Sequence, residues 1–179
     1  MRVVVAEFLT LDGIMEAPDQ WSFPYWNDDI AKFKRDELLV SEAQLLGRVT
    51  YEGFAAAWPS RSDEFADRMN SLPKYVVSTT MDNPTWENTY VIREHVAEQI
   101  WTLRQRSGGD ILVAGSGTLV QTLMQYGLVD EFHLLVYPLA LGSGMRLFQE
   151  GSQPKLRLVE SQTTGSGVMI LTYQPVAGS

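Results

Sequence analysis

Apolar and polar positions along the 179-residue chain form two alternating kinds of segment. Short apolar runs indicate buried strands, and the first of them, Val3 to Leu9, is interrupted only by Glu7. Longer segments with helical spacing of apolar residues separate these runs. The pattern predicts strands near 3–9, 43–46, 74–78, 88–92, 111–114, 132–136, 155–162 and 168–174, and helices near 28–40, 49–57, 63–72, 94–106 and 118–126.

The order of these segments predicts the fold class. Strands alternate with helices up to about residue 137, and the chain closes with two strands joined by a Gly-rich turn. We therefore expect an α/β fold of three layers, with a mostly parallel central sheet and an antiparallel C-terminal edge. One domain is expected over residues 1–175, followed by a loose tail at 176–179. The long loop at 10–27 is of the kind that usually carries function.

Composition narrows the choice of chemistry. The chain has no cysteine, so thiol nucleophiles, disulfides and Cys-ligated metals are excluded. Two isolated histidines, His95 and His133, do not favour a metal site, and both are expected in structural roles. The net charge of −8 does not suit nucleic-acid binding, and no apolar run approaches the roughly 18–20 residues of a membrane span. The start of the chain lacks the pattern of a signal peptide, so we expect a cytoplasmic protein.

Three strand ends carry candidate binding motifs. After the strand at 111–114, Gly115 to Gly117 opens a helix, which suits an anion but equally a tight structural turn. Gly47 and Arg48 follow the second strand, and an arginine at a helix start favours an anionic ligand. Ser78 to Thr80 follow the third strand and on their own indicate only a polar turn. Because such ends meet in one crevice, the three motifs together predict a nucleotide with several phosphates.

The ordered set of motifs resembles the dihydrofolate reductase fold, and more closely its stand-alone relatives of the reductase domain of bacterial riboflavin biosynthesis, the RibD C-terminal domain. The resemblance covers nearly the whole chain. The matching segments are Thr10-Leu11-Asp12-Gly13, Gly47-Arg48-Val49-Thr50, Val77-Ser78-Thr79, Ala114-Gly115-Ser116-Gly117, Gly127-Leu128-Val129-Asp130-Glu131, Pro138 and Leu141-Gly142-Ser143-Gly144.

The resemblance implies an NADPH-dependent reductase. By position, Ala6 would offer backbone groups to the nicotinamide amide, and Arg48 would lie near the 2′-phosphate. A cis peptide bond would fall between Gly115 and Ser116. The full set of residues that the resemblance assigns to the cofactor is Ala6, Thr10, Asp12, Gly13, Gly47, Arg48, Val49, Thr50, Ser78, Thr79, Thr80, Ala114, Gly115, Ser116, Gly117, Thr118, Leu119 and Val120.

On the substrate side, the resemblance implies hydride transfer to a C=N or C=O carbon of a small, flat, polar molecule, pterin- or pyrimidine-like. Asp29 is similar in position to a pterin-binding carboxylate and is the predicted catalytic anchor, with Asp28 as its rival. Both are also ordinary acids for a helix N-terminus. The other residues predicted to bind substrate, or else to fill the core or a dimer contact, are Trp21, Tyr25, Phe33 and Trp58.

Three alternatives remain open from the sequence. One is the 5-amino-6-(5-phosphoribosylamino)uracil reductase of riboflavin biosynthesis, although Ala114 stands where those enzymes carry a substrate-binding acid. Another is a non-catalytic NADP-binding protein, and the third is a scaffold whose turns are merely structural. Related domains are often dimers, so a homodimer is a further expectation.

Overall fold

Eight strands form one sheet in the computed structural model, which describes residues 1–176. The strands are β1 Arg2–Thr10, β2 Ser41–Gly47, β3 Lys74–Val77, β4 Thr89–Ile92, β5 Asp110–Ala114, β6 Glu131–Tyr137, β7 Leu156–Thr163 and β8 Met169–Pro175. The α-helices are α1 Asp28–Val40, α2 Arg48–Ala57, α3 Glu64–Ser71, α4 Val96–Arg104 and α5 Gly117–Gln125. Two short 3₁₀ turns, Pro18–Gln20 and Phe23–Tyr25, lie in the predicted loop.

The strand order confirms the predicted fold class. It runs β4-β3-β2-β5-β1-β6-β8-β7, with parallel pairs from β4 to β6 and antiparallel pairs at β6–β8 and β8–β7. The connection from β1 to β2 runs toward the β4 edge of the sheet. The connection from β5 to β6 runs toward the β7 edge. Adjacent strands β1 and β5 are therefore the point where the connections change direction, which is where open α/β sheets bind ligands.

Side-chain caps define the start of two helices, α1 and α3. The Asn27 side chain accepts a hydrogen bond from the Ile30 amide at 3.0 Å and so caps the start of α1. Asp63 caps α3 in the same way, through the Ala66 amide at 2.9 Å. The helix predicted at 94–106 is shorter than expected, because His95 takes a left-handed conformation (φ 52°) immediately before α4.

Helices cover both faces of the sheet. Buried residues of α4 and α5, such as Ile100 and Leu123, pack with Val3 and Val5 on one face. The other face carries α1, α2 and α3, where Leu38 and neighbouring residues pack against the middle of the sheet. Each fully buried aliphatic side chain of this kind stabilises the fold by about 1.5–3 kcal/mol.

A chain of charged groups also holds α1 against the sheet. Glu37 on α1 contacts the His133 Nδ1 atom at 2.7 Å, and Glu131 contacts His133 Nε2 at 3.0 Å. Lys34 on α1 donates to the second carboxylate oxygen of Glu37. Burial opposes ionisation of Glu37, but Lys34 and His133 outweigh it and hold the pKa of Glu37 below its usual value. Burial likewise opposes protonation of His133, whose pKa is nonetheless raised by the two carboxylates.

The last strands form an exposed edge. β7 is the outermost strand and leaves Leu158 and Val159 about half exposed. An exposed strand edge can pair with another chain, so the homodimer stays a prediction. Of the tail predicted at 176–179, residues 177–179 lie outside the described residues, while the Val176 amide still donates to Lys155 O at 2.9 Å. None of the helices within residues 1–176 has the length and hydrophobicity to cross a bilayer.

Two glycines should respond in opposite ways to alanine. Gly53 lies within α2 and a Cβ there would meet nothing within 4 Å, so Gly53→Ala should raise the free energy of unfolding by about 0.5–1 kcal/mol. A Cβ on Gly109 would overlap with the carbonyl oxygen of Val40, so Gly109→Ala should lower it by about 1–3 kcal/mol. Urea unfolding followed by circular dichroism measures both changes. Equal effects of the two substitutions would contradict this packing.

Candidate active site

The carboxyl ends of four parallel strands, β1, β2, β3 and β5, lie along one edge of the sheet. β1 pairs with β5 as far as Ala6 and Ala114, and β2 pairs with β3 as far as Gly47 and Val77. Each of the three predicted binding motifs begins at or directly after one of these ends. The structure therefore brings the three motifs to the same edge.

Two glycines let neighbouring motifs touch. A Cβ atom built on Gly47 would overlap with the side chain of Ser116, and one built on Gly115 would overlap with the hydroxyl of Thr50. Any side chain at either position would push the ends of β2 and β5 apart. The turn after β5 and the start of α2 are thus in direct contact.

Left-handed backbone conformations reverse the chain between β5 and α5. Gly115 has φ 66° and Ser116 has φ 60°, and Ser116 is the residue that precedes the first residue of α5. Every peptide bond within residues 1–176 is trans, so the cis bond expected between Gly115 and Ser116 is wrong. Two successive left-handed residues already redirect the chain, and the second is a serine, for which this conformation is strained.

The first turn of α5 offers backbone groups rather than side chains. The amides of Gly117 to Leu119 have no acceptor within the helix, whereas the Val120 amide donates to Ser116 O at 3.0 Å and the side chains of Leu119 and Val120 are buried in the core. A Cβ on Gly117 would lie 2.5 Å from the Met145 sulfur and 3.1 Å from the Met15 sulfur. Methionine side chains therefore occupy the space next to Gly117.

A cavity of about 490 Å³ lies between α2 and the segment after β3. Arg48 and Thr80, both predicted to bind cofactor, line it together. The Arg48 guanidinium donates to the two carboxylate oxygens of Glu52 at 2.9 and 3.1 Å, and Asp82 also lines the cavity. Exposed pairs of this kind are worth about 0–1 kcal/mol, so an anionic ligand can replace Glu52 as the partner of Arg48.

The hydroxyl of Ser78 already has partners. It accepts hydrogen bonds from the Thr80 amide at 3.2 Å and the Met81 amide at 3.1 Å. These bonds close a turn after β3, as in the alternative interpretation of the motif as a polar turn. Thr79 and Thr80 are the exposed hydroxyl residues of this segment.

Asp12 joins the loop after β1 to the loop after β6. Its carboxylate accepts from the Gly142 amide at 2.7 Å, the Leu141 amide at 3.3 Å and the Thr10 hydroxyl at 2.5 Å. The bonds from Thr10 and Gly142 lower the pKa of Asp12 to about 2. Gly13 follows with φ 79°, a conformation that glycine adopts without strain. Asp12 therefore orders the loop that the resemblance places over the nicotinamide ribose.

Three of the four aromatic residues predicted to bind substrate belong to one region. Trp21 and Tyr25 pack edge-on against Tyr137, with ring centroids 5.3 and 5.8 Å apart, and Phe33 packs near them. Trp58 does not join them, because its ring packs on those of Phe54 in α2 and Phe65 in α3. Trp58 therefore lies apart from the other three aromatic residues predicted to bind substrate.

Asp29 and Asp28 lie exposed in the first turn of α1. Asp29 accepts a hydrogen bond from the Gly165 amide at 3.0 Å, in the turn between β7 and β8. This contact fixes the turn against α1. The role of Asp29 as a substrate anchor stays a prediction.

Sequence reasoning did not single out a buried acid in β1. Glu7 is buried, and its Oε1 atom has no hydrogen-bond partner among the described residues. Its surroundings include the Gly115 amide and the charges of Lys34 and Glu37. The sequence signal for it is the one charged residue in the apolar run from Val3 to Leu9.

Comparison with known proteins identifies the family. The model of the RibD C-terminal domain matches residues 2–170. The chain belongs to this family. The chain is similar to uncharacterised protein YyaP of Bacillus subtilis. The two are 28% identical, and the match covers 96% of this chain and 94% of YyaP.

Solved structures show that this member of the RibD C-terminal family has a dihydrofolate reductase-like fold. A protein from Shewanella sp. PV-4, provisionally described as a riboflavin biosynthesis protein, superposes with a TM-score of 0.79 at 20% identity, over 98% of this chain and 99% of the other. Dihydrofolate reductase from Enterococcus faecalis, complexed with NADP(H), gives a TM-score of 0.65 at 16% identity, over 97% and 96%.

Removing the charge of Asp12 should loosen the two loops that it joins. In Asp12→Asn we expect faster amide hydrogen exchange at Gly142 than in the wild type, because a charged acceptor is lost. Asp19→Asn, an exposed acid of the same loop, is the matched control and should change nothing. Unchanged exchange at Gly142 would contradict the proposed link.

The pH dependence of stability in acid should report on the same hydrogen bonds of the Asp12 carboxylate. Because the folded pKa of Asp12 is about 2, its ionised form stabilises the native state fully above the ordinary value of about 3.9. That contribution is lost as the pH falls toward 2. Unfolding curves between pH 4.5 and 2.5 should therefore fall more steeply for the wild type than for Asp12→Asn. Parallel curves would show that Asp12 titrates normally.

Proposed function

We propose that the protein is an NADPH-dependent reductase that transfers a hydride to a C=N or C=O carbon of a small, flat, polar substrate. The observation that carries the proposal is the contact of Gly47 with Ser116 and of Gly115 with Thr50, which brings the ends of β2 and β5 together beside the switch point between β5 and β1. Membership of the RibD C-terminal family supports it, as does the NADP(H) complex of a structural neighbour.

The residues at the strand ends fit a dinucleotide with phosphate groups. Backbone amides at the start of α5 suit a pyrophosphate, because they lack acceptors and lie at the positive end of the helix dipole. Arg48 suits the 2′-phosphate, and Ala6 offers main-chain groups to the nicotinamide amide. When bound, the reduced nicotinamide supplies the hydride, while the protein positions it and excludes water.

The aromatic region beside α1 suits a flat substrate. Phe8 belongs to the same region, since its ring centroid lies 5.4 Å from that of Tyr137 and 6.5 Å from that of Trp26. Trp26 is partly exposed and provides a face on which a ring can stack. A pterin- or pyrimidine-like heterocycle has the shape and polarity for this surface.

The uracil reductase of riboflavin biosynthesis is less well supported. Ala114 ends β5 at the position where the resemblance places a substrate-binding acid, and it offers no charged side chain. A non-catalytic NADP-binding protein is distinguished by experiment. It would bind NADPH yet leave a panel of pterins, pyrimidines and carbonyl compounds unreduced.

Arg48→Ala should weaken NADPH binding by about ten- to a hundredfold and leave NADH binding almost unchanged, because one charge-assisted phosphate contact is lost. Arg61→Ala, an exposed arginine that stacks on Trp58, is the control and should affect neither cofactor. Fluorescence titration measures all four affinities. Equal losses for both cofactors with Arg48→Ala would show that Arg48 does not recognise the 2′-phosphate.

Asp29→Asn should lower turnover on the order of 10²-fold and leave NADPH affinity within about twofold, if Asp29 is the substrate anchor. Asp28→Asn tests its rival. Asp36→Asn, an exposed acid on the same helix paired with Lys32, is the control. Steady-state assays with a substrate from the panel measure the change, and full activity in both Asp28 and Asp29 variants would remove this helix end from the chemistry.

A further inference from the structure

Glu7 occupies the position where β1 loses one of its two neighbours. β1 pairs with β5 only as far as Ala6 and Ala114, whereas it pairs with β6 up to Thr10. Glu7 is therefore the first residue of β1 that has no partner on the β5 side. The turn at Gly115 follows β5 directly at this level, at the switch point between β1 and β5.

The carboxyl group of Glu7 is buried there and incompletely bonded. The residue is 5% exposed, and its Oε1 atom is buried with no hydrogen-bond partner among the described residues. A buried polar atom without a partner has given up its hydrogen bonds to water and gained none in return, so such atoms in natural proteins call for an explanation. One explanation is a bound molecule that supplies the missing hydrogen-bond partner of Oε1.

Neighbouring buried charges do not share this feature. Glu37 is also buried, but Lys34 and His133 bond both of its carboxylate oxygens. The second carboxylate on His133, that of Glu131, is also bonded by Gln174 at 2.9 Å. The structural charges of this region are thus paired, and Glu7 alone among these three acids keeps an unpartnered oxygen.

The surroundings of Glu7 hold it in its neutral form near pH 7. Burial raises the pKa of Glu7 to about 8, while Lys34 and the Gly115 amide favour the ionised form and Glu37 opposes it. A carboxylic acid with such a value can donate a proton at neutral pH, and Lys34 and the amide can then stabilise the carboxylate. This is the behaviour required of a general acid.

We propose that Glu7 is the catalytic acid of the reductase and donates the proton that accompanies hydride transfer. The inference rests on the proposed function. The hydride pair forms a C–H bond at the substrate carbon as the C=N or C=O π bond breaks toward nitrogen or oxygen. That atom takes the proton from the Glu7 carboxyl, which becomes a carboxylate and recovers a proton from water. The nicotinamide is oxidised and the substrate is reduced by the same two electrons.

Glu7→Gln tests the proposal first in the absence of any ligand. The native state retains a proton that the unfolded chain releases near pH 4.5, so wild-type stability should fall as the pH rises from about 4.5 to 8. In Glu7→Gln this part of the pH dependence should disappear, and the variant should be more stable than the wild type at pH 8. An acid that is ionised and paired in the native state would give the opposite result, a loss of stability on substitution.

Direct titration gives the second readout. The carbonyl stretch or the ¹³C shift of labelled Glu7 should report a protonated carboxyl at pH 7 in the free protein. Glu160→Gln, an exposed acid on β7, is the control for both the stability and the activity measurements. A Glu7 titration near the ordinary value of about 4.3 would overturn the proposal.

Activity then separates this inference from the proposed function. With a substrate from the panel, Glu7→Gln should lower turnover by about 10²–10⁴-fold and remove the decline in rate near pH 8, with NADPH affinity within about twofold. Wild-type turnover in Glu7→Gln, with the same pH profile, would overturn the role of Glu7 alone. Absence of NADPH binding and of turnover in the wild type would overturn the proposed function and, with it, this role.

Discussion

The close approach of two strand ends determines the geometry of the candidate site. Gly47 and Gly115 leave no space between the end of β2 and the turn after β5, so Ser116 and Thr50 pack directly against their backbones. This contact fixes where α2 and α5 begin, and therefore where their first-turn amides lie. Without the glycines, the ends of β2 and β5 would separate, and the crevice would lose its backbone lining.

Charge is distributed unevenly around this crevice. On the side of α1, Lys34, Glu37, His133 and Glu131 form a bonded series that ties the helix to β6. On the side of α2, Arg48 is held only by an exposed pair with Glu52. Buried, fully paired charges fix a structure, whereas an exposed cation can exchange its partner. Under the proposed function, this difference would give a rigid substrate side and a cofactor side that responds to an anion.

Sequence reasoning predicted the fold because each strand and helix carries a strong local pattern. It also predicted that the Gly47, Ser78 and Gly115 motifs would meet, since parallel strand ends share one edge of a sheet. It could not show that the Ser78 hydroxyl closes its own turn, nor that Trp58 packs away from Trp21, because both depend on tertiary packing. The expected cis bond failed because left-handed residues reverse the chain instead.

Glu7 illustrates a different limit. A single acid within an apolar strand was visible in the sequence, but its meaning depended on β1 losing contact with β5 at that residue. No local pattern contains this information. His133 is similar, since the carboxylates that raise its pKa come from a helix 96 positions earlier and from its own strand.

A crystal structure of the protein with NADPH tests the account most directly. The account predicts the pyrophosphate against the first-turn amides of α5 and the nicotinamide between the end of β1 and the Gly115 turn, within hydrogen-bond distance of the Ala6 backbone. Cofactor density elsewhere, such as the cavity lined by Tyr75 and His95 beside α4, would contradict it. So would a crevice left unoccupied at a saturating concentration of NADPH.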